Sequence, residues 1–111
     1  MDPFVRRLVE RLHDPARPLS RNRHFHTFDT PEGRLALKVS KRLKSIHQDI
    51  LACVKEGRRA RLFRHGDPAG EHRIELHFER IAGRRVSHLK AAELELLAQL
   101  PGVRDALKGD L

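Results

Sequence analysis

The spacing of apolar and polar positions passes from helical to strand-like and back to helical along the chain. Phe4, Val5, Leu8, Val9 and Leu12 recur at helical spacing, with Arg6, Arg7 and Arg11 off that stripe. Asp2 before Pro3 supplies a capping side chain followed by a residue preset for the first helical turn. A short helix is therefore predicted from Pro3 to about His13, and Pro15 and Pro18 bar its continuation. Residues 14–29 lack a clear period and read as a loop. Thr30-Pro31-Glu32 repeats the start signal. Leu35, Val39, Leu43, Ile46, Ile50 and Cys53 then follow at steps of 4, 4, 3, 4 and 3, a helical stripe that ends at Gly57. Such a helix is about 35–40 Å long at about 1.5 Å per residue.

After Gly57 the period falls to two. Arg59, Arg61, Phe63 and His65 alternate with Ala60, Leu62 and Arg64. Gly66-Asp67-Pro68-Ala69-Gly70 reads as a turn. Ile74, Leu76 and Phe78 alternate with Arg73, Glu75, His77 and Glu79, the pattern of a half-buried antiparallel strand. Ala82-Gly83 permits a second turn, and 84–88 reads as a third strand with Val86 inward. Residues 90–100 return to helix through Leu94, Leu97 and Ala98, with Leu96 and Leu100 beside them, and Pro101-Gly102 closes it. The order predicts one α+β domain over residues 1–111: a short N-terminal helix, a long central helix, a three-stranded antiparallel β-meander, and a C-terminal helix packed on one face of the sheet.

Composition adds a partner class to this outline. The chain has 111 residues and a net charge of +8. Residues 1–65 hold 16 Lys and Arg against 7 Asp and Glu, whereas residues 66–111 hold 7 against 8. The excess of cations lies wholly in the first part, which favours a polyanionic partner. Seventeen of the 23 cations are Arg, the side chain suited to bidentate phosphate contacts, although codon bias produces the same preference. No apolar run is long enough to span a bilayer. Met1-Asp2-Pro3 does not open a signal peptide, and a single cysteine excludes an internal disulfide. These features predict a cytoplasmic protein.

Three segments carry candidate chemistry. On the long helix Arg34, Lys38, Lys41, Arg42 and Lys44 lie opposite the apolar stripe, and residues 33–48 contain no acid at all. A face of one sign suits a phosphate backbone, although an ordinary solvated face has similar composition. On the first strand Arg59, Arg61, Phe63 and His65 share one side, where the ring is either a core residue or a stacking surface for a base; Arg64 adds a cation on the other side. In the loop, Arg21, Arg23, His24 and His26 are interleaved with Phe25 and Phe28. That composition suits a grip on phosphates, or rings that pin the loop to the core.

Eight histidines raise the question of a metal, but His24-x-His26 has no second pair, and no CxxC or HExxH occurs. There is no phosphate loop, dinucleotide turn or nucleophile elbow. The chain is therefore expected to act by binding, without cofactor or metal. Nucleic acid is the first expectation, DNA or RNA, through the basic helix face, the basic strand and the loop. An acidic protein partner is the alternative. A metal-independent nuclease using His24 or His26 with Arg21 or Arg23 is a third. The long helix exceeds what one short helix covers, so a homodimer is also expected.

Overall fold

The start signals at Asp2 and Thr30 and the stop at Gly57 are met by hydrogen bonds in the computed structural model, which describes residues 1–20, 22–66 and 72–111. The Asp2 carboxylate accepts from the Phe4 and Val5 amides at 2.7 and 3.3 Å and caps α1, Pro3–Leu12. The Thr30 hydroxyl accepts from the Gly33 amide at 3.0 Å and donates to the Thr27 carbonyl at 2.8 Å. It thereby caps α3, Pro31–Lys55, and ties it to the preceding segment. Gly57 takes a left-handed φ of +67°, the Gly57 amide donates to Val54 and the Arg58 amide to Cys53, the paired closure that ends a helix at glycine.

Contacts gather into two compact units, Met1–Lys44 and Ser45–Leu111, and α3 runs from one into the other. In the first unit Val5, Leu8, Val9, Phe28, Ala36 and Leu43 are buried. The expected loop contains one helical turn, α2, Phe25–Phe28, which buries Phe28 and leaves Phe25 57% exposed. The buried side of α3 here also differs from the expected stripe. Gly33, Ala36 and Ser40 face inward, Leu35 is 47% exposed and Val39 only half-buried. The reason is steric. A Cβ on Gly33 would stand 2.0 Å from the Thr27 carbonyl oxygen and 2.7 Å from the Phe28 Cα. Only the small-residue side of the helix admits that approach. Ser40 is buried too, and its hydroxyl meets His13 Nε2 at 3.1 Å.

In the second unit β1, Ala60–Gly66, β2, His72–Arg80, and β3, Gly83–Leu89, form one antiparallel sheet in sequential order. The register places Ala60, Phe78 and Arg85 in one row, Leu62, Leu76 and Ser87 in the next, and Arg64, Ile74 and Leu89 in the third. Those rows form the inner face, with Ala60, Leu62, Ile74, Leu76, Phe78 and Leu89 buried. Val86 has the opposite parity and points outward, 43% exposed, contrary to the inward position expected; Ser87 and Leu89 take the inner sites of β3. The expected turn at Asp67-Pro68-Ala69-Gly70 lies outside the described residues.

The C-terminal helix α4, Ala91–Ala98, buries Leu94, Leu96 and Leu97, and α5, Val103–Ala106, follows it. The Glu93 carboxylate caps α4 by accepting from the Lys90 amide at 3.0 Å. Residues of α4 and the inner sheet face, Ala91, Leu94, Arg64 and Ile74 among them, line a shallow cleft of about 300 Å³. The α+β architecture is thus the one expected. At the outer edge of β1 the Leu62 amide points away from β2 and donates to the Asp110 carboxylate at 3.1 Å, while Arg64 Nη1 donates to the Asp110 carbonyl at 3.2 Å.

A cluster of ions joins α3 to the hairpin of β2 and β3. Arg80 reaches Glu56 Oε1 through Nη2 at 2.8 Å and Nε at 3.0 Å, and the Ile81 amide donates to Glu56 Oε2 at 3.1 Å. Asp49 lies between Arg80, at 3.7 Å, and Arg85, which faces its buried Oδ2 at 3.1 Å as an ion pair outside hydrogen-bond alignment. The hydrogen bond from Arg80, then that from Ile81, holds the Glu56 carboxyl below its usual range against partial desolvation. Burial pushes the Cys53 thiol up, which makes it an inert core residue.

Two predictions follow from this packing. Gly33→Ala gains at most about 1 kcal/mol of helix propensity. Overpacking against backbone costs about 1–3 kcal/mol, and a 2.0 Å approach belongs at the upper end. Thermal and urea unfolding should therefore show a clear net loss of stability. The Glu56 contribution has a defined pH window. A carboxyl with a lowered folded-state pKa stabilises fully above its unfolded value, about 4.3, and loses this as pH falls through the folded value. The gap in urea midpoint between the native chain and Glu56→Gln should be widest near neutrality and should close as the solution is acidified below that value.

Candidate nucleic-acid interface

The basic face of α3 lies wholly in the first unit. Arg34, Lys38, Lys41, Arg42 and Lys44 are all exposed. At about 100° per residue, Arg34, Lys38, Lys41 and Arg42 fall within an arc of about 100°, and Lys44 lies about 60° beyond it. From Arg34 to Lys44 the stripe runs about 15 Å. The rotation imposed by Gly33 leaves this arc in solvent. Arg34 makes an ion pair with Asp29 at 3.6 Å, both side chains mostly exposed, a contact of small energetic weight. Nearby acids in sequence are Asp29, Glu32 and Asp49, all outside the stripe.

The loop residues divide. Arg23 and His26 are exposed, whereas His24 is half-buried, with its Nδ1 3.0 Å from the Ser20 carbonyl. His26 stands edge-on to Phe25 at 5.9 Å between ring centroids. Arg21 lies outside the described residues. His24 and His26 therefore hold different environments, one engaged with backbone and the other beside an exposed ring.

In the second unit, the parity of the sheet separates the cations of the first strand. Arg61, Phe63 and His65 project from the outer face of β1, and Arg59 precedes them with the same parity. Arg64 projects from the inner side, where it binds the Asp110 carbonyl. The outer rows are Arg61, His77 and Val86; then Phe63, Glu75 and His88; then His65 and Arg73. Phe63 is 40% exposed and is not a core residue. Its ring meets His77 edge to face at 4.7 Å, with an interplanar angle of 70°. The Arg61 guanidinium carbon lies 5.8 Å from its centroid, an exposed cation–π contact worth about 0.5–1 kcal/mol.

Three histidines, one from each strand, surround Glu75. His77 Nε2 and His65 Nε2 lie 3.1 and 3.3 Å from the same oxygen, Oε2, and His88 Nδ1 lies 4.0 Å from Oε1. Two ring nitrogens sharing one carboxylate oxygen is a hydrogen-bonding arrangement. Among the described residues no group of three or more His, Cys, Asp or Glu side chains is placed to hold a metal ion. The bond from His77 is the largest influence on Glu75 and lowers its carboxyl pKa; desolvation opposes it, and His65 adds to the lowering. The sequence placed His65 on a basic strand face and His77 on the next strand, with nothing to join them. Their convergence required the register, which pairs Phe63 with Glu75 and Glu75 with His88.

Comparison with protein-family models, with curated proteins and with solved structures finds no match to this chain. Among the described residues, no helix is long and apolar enough to cross a membrane.

The Glu75 cluster has a direct spectroscopic consequence. In a carboxyl-carbon NMR titration Glu75 should titrate below an ordinary glutamate. His77→Ala should move its midpoint upward by more than His65→Ala does. Equal shifts, or an ordinary midpoint in the native chain, would contradict this geometry.

Proposed function

We propose that this protein is a nucleic-acid-binding module of the cytoplasm that acts by binding rather than catalysis and contacts mainly phosphates. The observation that carries the reading is the exposed stripe Arg34, Lys38, Lys41, Arg42 and Lys44, set in a run of residues 33–48 that contains no acid. Duplex DNA carries about one charge per 1.7 Å of axis, so a stripe of about 15 Å lies against several phosphates at once. Arg23 and His26 are exposed in the same unit, and Arg59 and Arg61 supply further exposed cations in the other. Contacts of this kind position a protein on nucleic acid without reading its sequence.

Fluorescence anisotropy with short labelled DNA and RNA, single- and double-stranded, tests the reading at low and at near-physiological salt. If five phosphates are neutralised on duplex DNA, log affinity should fall against log salt with a slope of about −4.5. Changing Lys38, Lys41 and Arg42 together to Ala should weaken binding and flatten that slope by about 2.5–3. An unchanged slope would remove the helix from the interface. No binding to any probe at low salt would overturn the reading and leave an acidic protein partner as the account of the charge.

A further inference from the structure

The outer face of the sheet presents a chemistry that phosphate binding alone does not use. A soluble antiparallel sheet with one face on its core normally shows polar side chains on the other. Here an exposed phenyl ring stands on the edge strand of that face. Phe63 stands between the rows of Arg61 and His65, beside His77, and directly opposite Glu75. Val86 adds a second exposed apolar side chain beyond His77. Arg61, Arg73 and Arg84 are exposed on the same face. The acids there are Glu75, whose oxygen is engaged by two imidazoles, and Glu79, which pairs in register with Arg84.

We propose that this face is a platform for single-stranded nucleic acid, with one base stacked on Phe63 and the neighbouring phosphates held by Arg61 and Arg73. The proposal rests on the nucleic-acid reading above and specifies the strandedness and the surface for it. A base has a flat π-face that fits the ring, and stacking of that kind tolerates any sequence. The Arg61 guanidinium now lies loosely over the ring at 5.8 Å. A stacked base interacts more strongly with the ring than an exposed guanidinium does, so Arg61 turns from the ring to a phosphate. Glu75 is a carboxylate acceptor beside the bound base, suited to an exocyclic amine. Duplex bases are stacked on one another and cannot reach the ring, which confines this mode to single strands.

The chain contains no Trp and no Tyr, which makes the test direct. In Phe63→Trp the indole is the sole strong fluorophore and reports stacking at the proposed position. Titration with a short oligoadenylate should quench it saturably, with the dissociation constant that anisotropy of the labelled oligonucleotide gives. A duplex should bind without quenching. Phe63→Leu, which keeps an apolar side chain at this exposed position, should weaken oligoadenylate binding by between about fivefold and about a hundredfold. Phe63→Tyr should bind like the native chain.

Oligonucleotide binding without quenching, together with native affinity in Phe63→Leu, would overturn the platform and leave the phosphate-binding reading intact. Absence of binding by the native chain to any nucleic acid would overturn both. Quenching by polyglutamate with none by the oligonucleotide would overturn the platform and assign the face to an acidic polypeptide instead.

Discussion

Gly33 brings the start of α3 against the backbone of Thr27 and Phe28 with no room for a side-chain carbon. That contact fixes which side of the first part of the helix is inward. With Gly33, Ala36 and Ser40 committed to the interior of the first unit, Arg34, Lys38, Lys41 and Arg42 are committed to solvent. Leu35 is left exposed as a consequence. The Thr30 hydroxyl, bonded to both Thr27 and Gly33, makes the helix cap and the close approach parts of one arrangement. The basic surface thus depends on a residue that carries no charge and no side chain.

The second unit is organised by parity instead. Once Leu62 and Leu76 are buried, alternate residues of the same strands have no choice of side. Phe63 is carried outward with Arg61, and the three histidines are carried to one carboxylate. The ion cluster of Arg80, Glu56 and Asp49 fixes the hairpin to the end of α3. In the sheet a single step in register would exchange the two faces and bury the arginines.

The legible parts of the fold were those encoded locally. Asp2-Pro3, Thr30-Pro31 and Gly57 act within a few residues of themselves, and the structure uses each one as a cap or stop. Alternation identified the strands for the same reason. The rotation of the first half of α3 was not legible, since Leu35 and Val39 are the larger apolar residues and the decisive contact is with backbone outside the helix. Val86 misled in the same way: its size suggests the interior, yet its parity places it outside. The basic stripe was visible as a charge pattern. The Glu75 cluster was not, because its members are brought together by pairing across strands, and no residue type predicts which positions will face one another. The single turn at Phe25–Phe28 is too short to show a period.

The edge of β1 has a bearing on behaviour at high concentration. An unpaired strand edge is a template on which another chain can add, the first step of sheet-mediated aggregation. Here the Leu62 amide on that edge already donates to the Asp110 carboxylate, and Arg64 fastens the same segment through its carbonyl. The occupied donor is offered to no incoming strand, and the negative charge seated there repels the carbonyl oxygens that such a strand would present. The segment around Asp110 thus covers part of the β1 edge. Resistance of this edge to strand addition is therefore in part a property of residue 110.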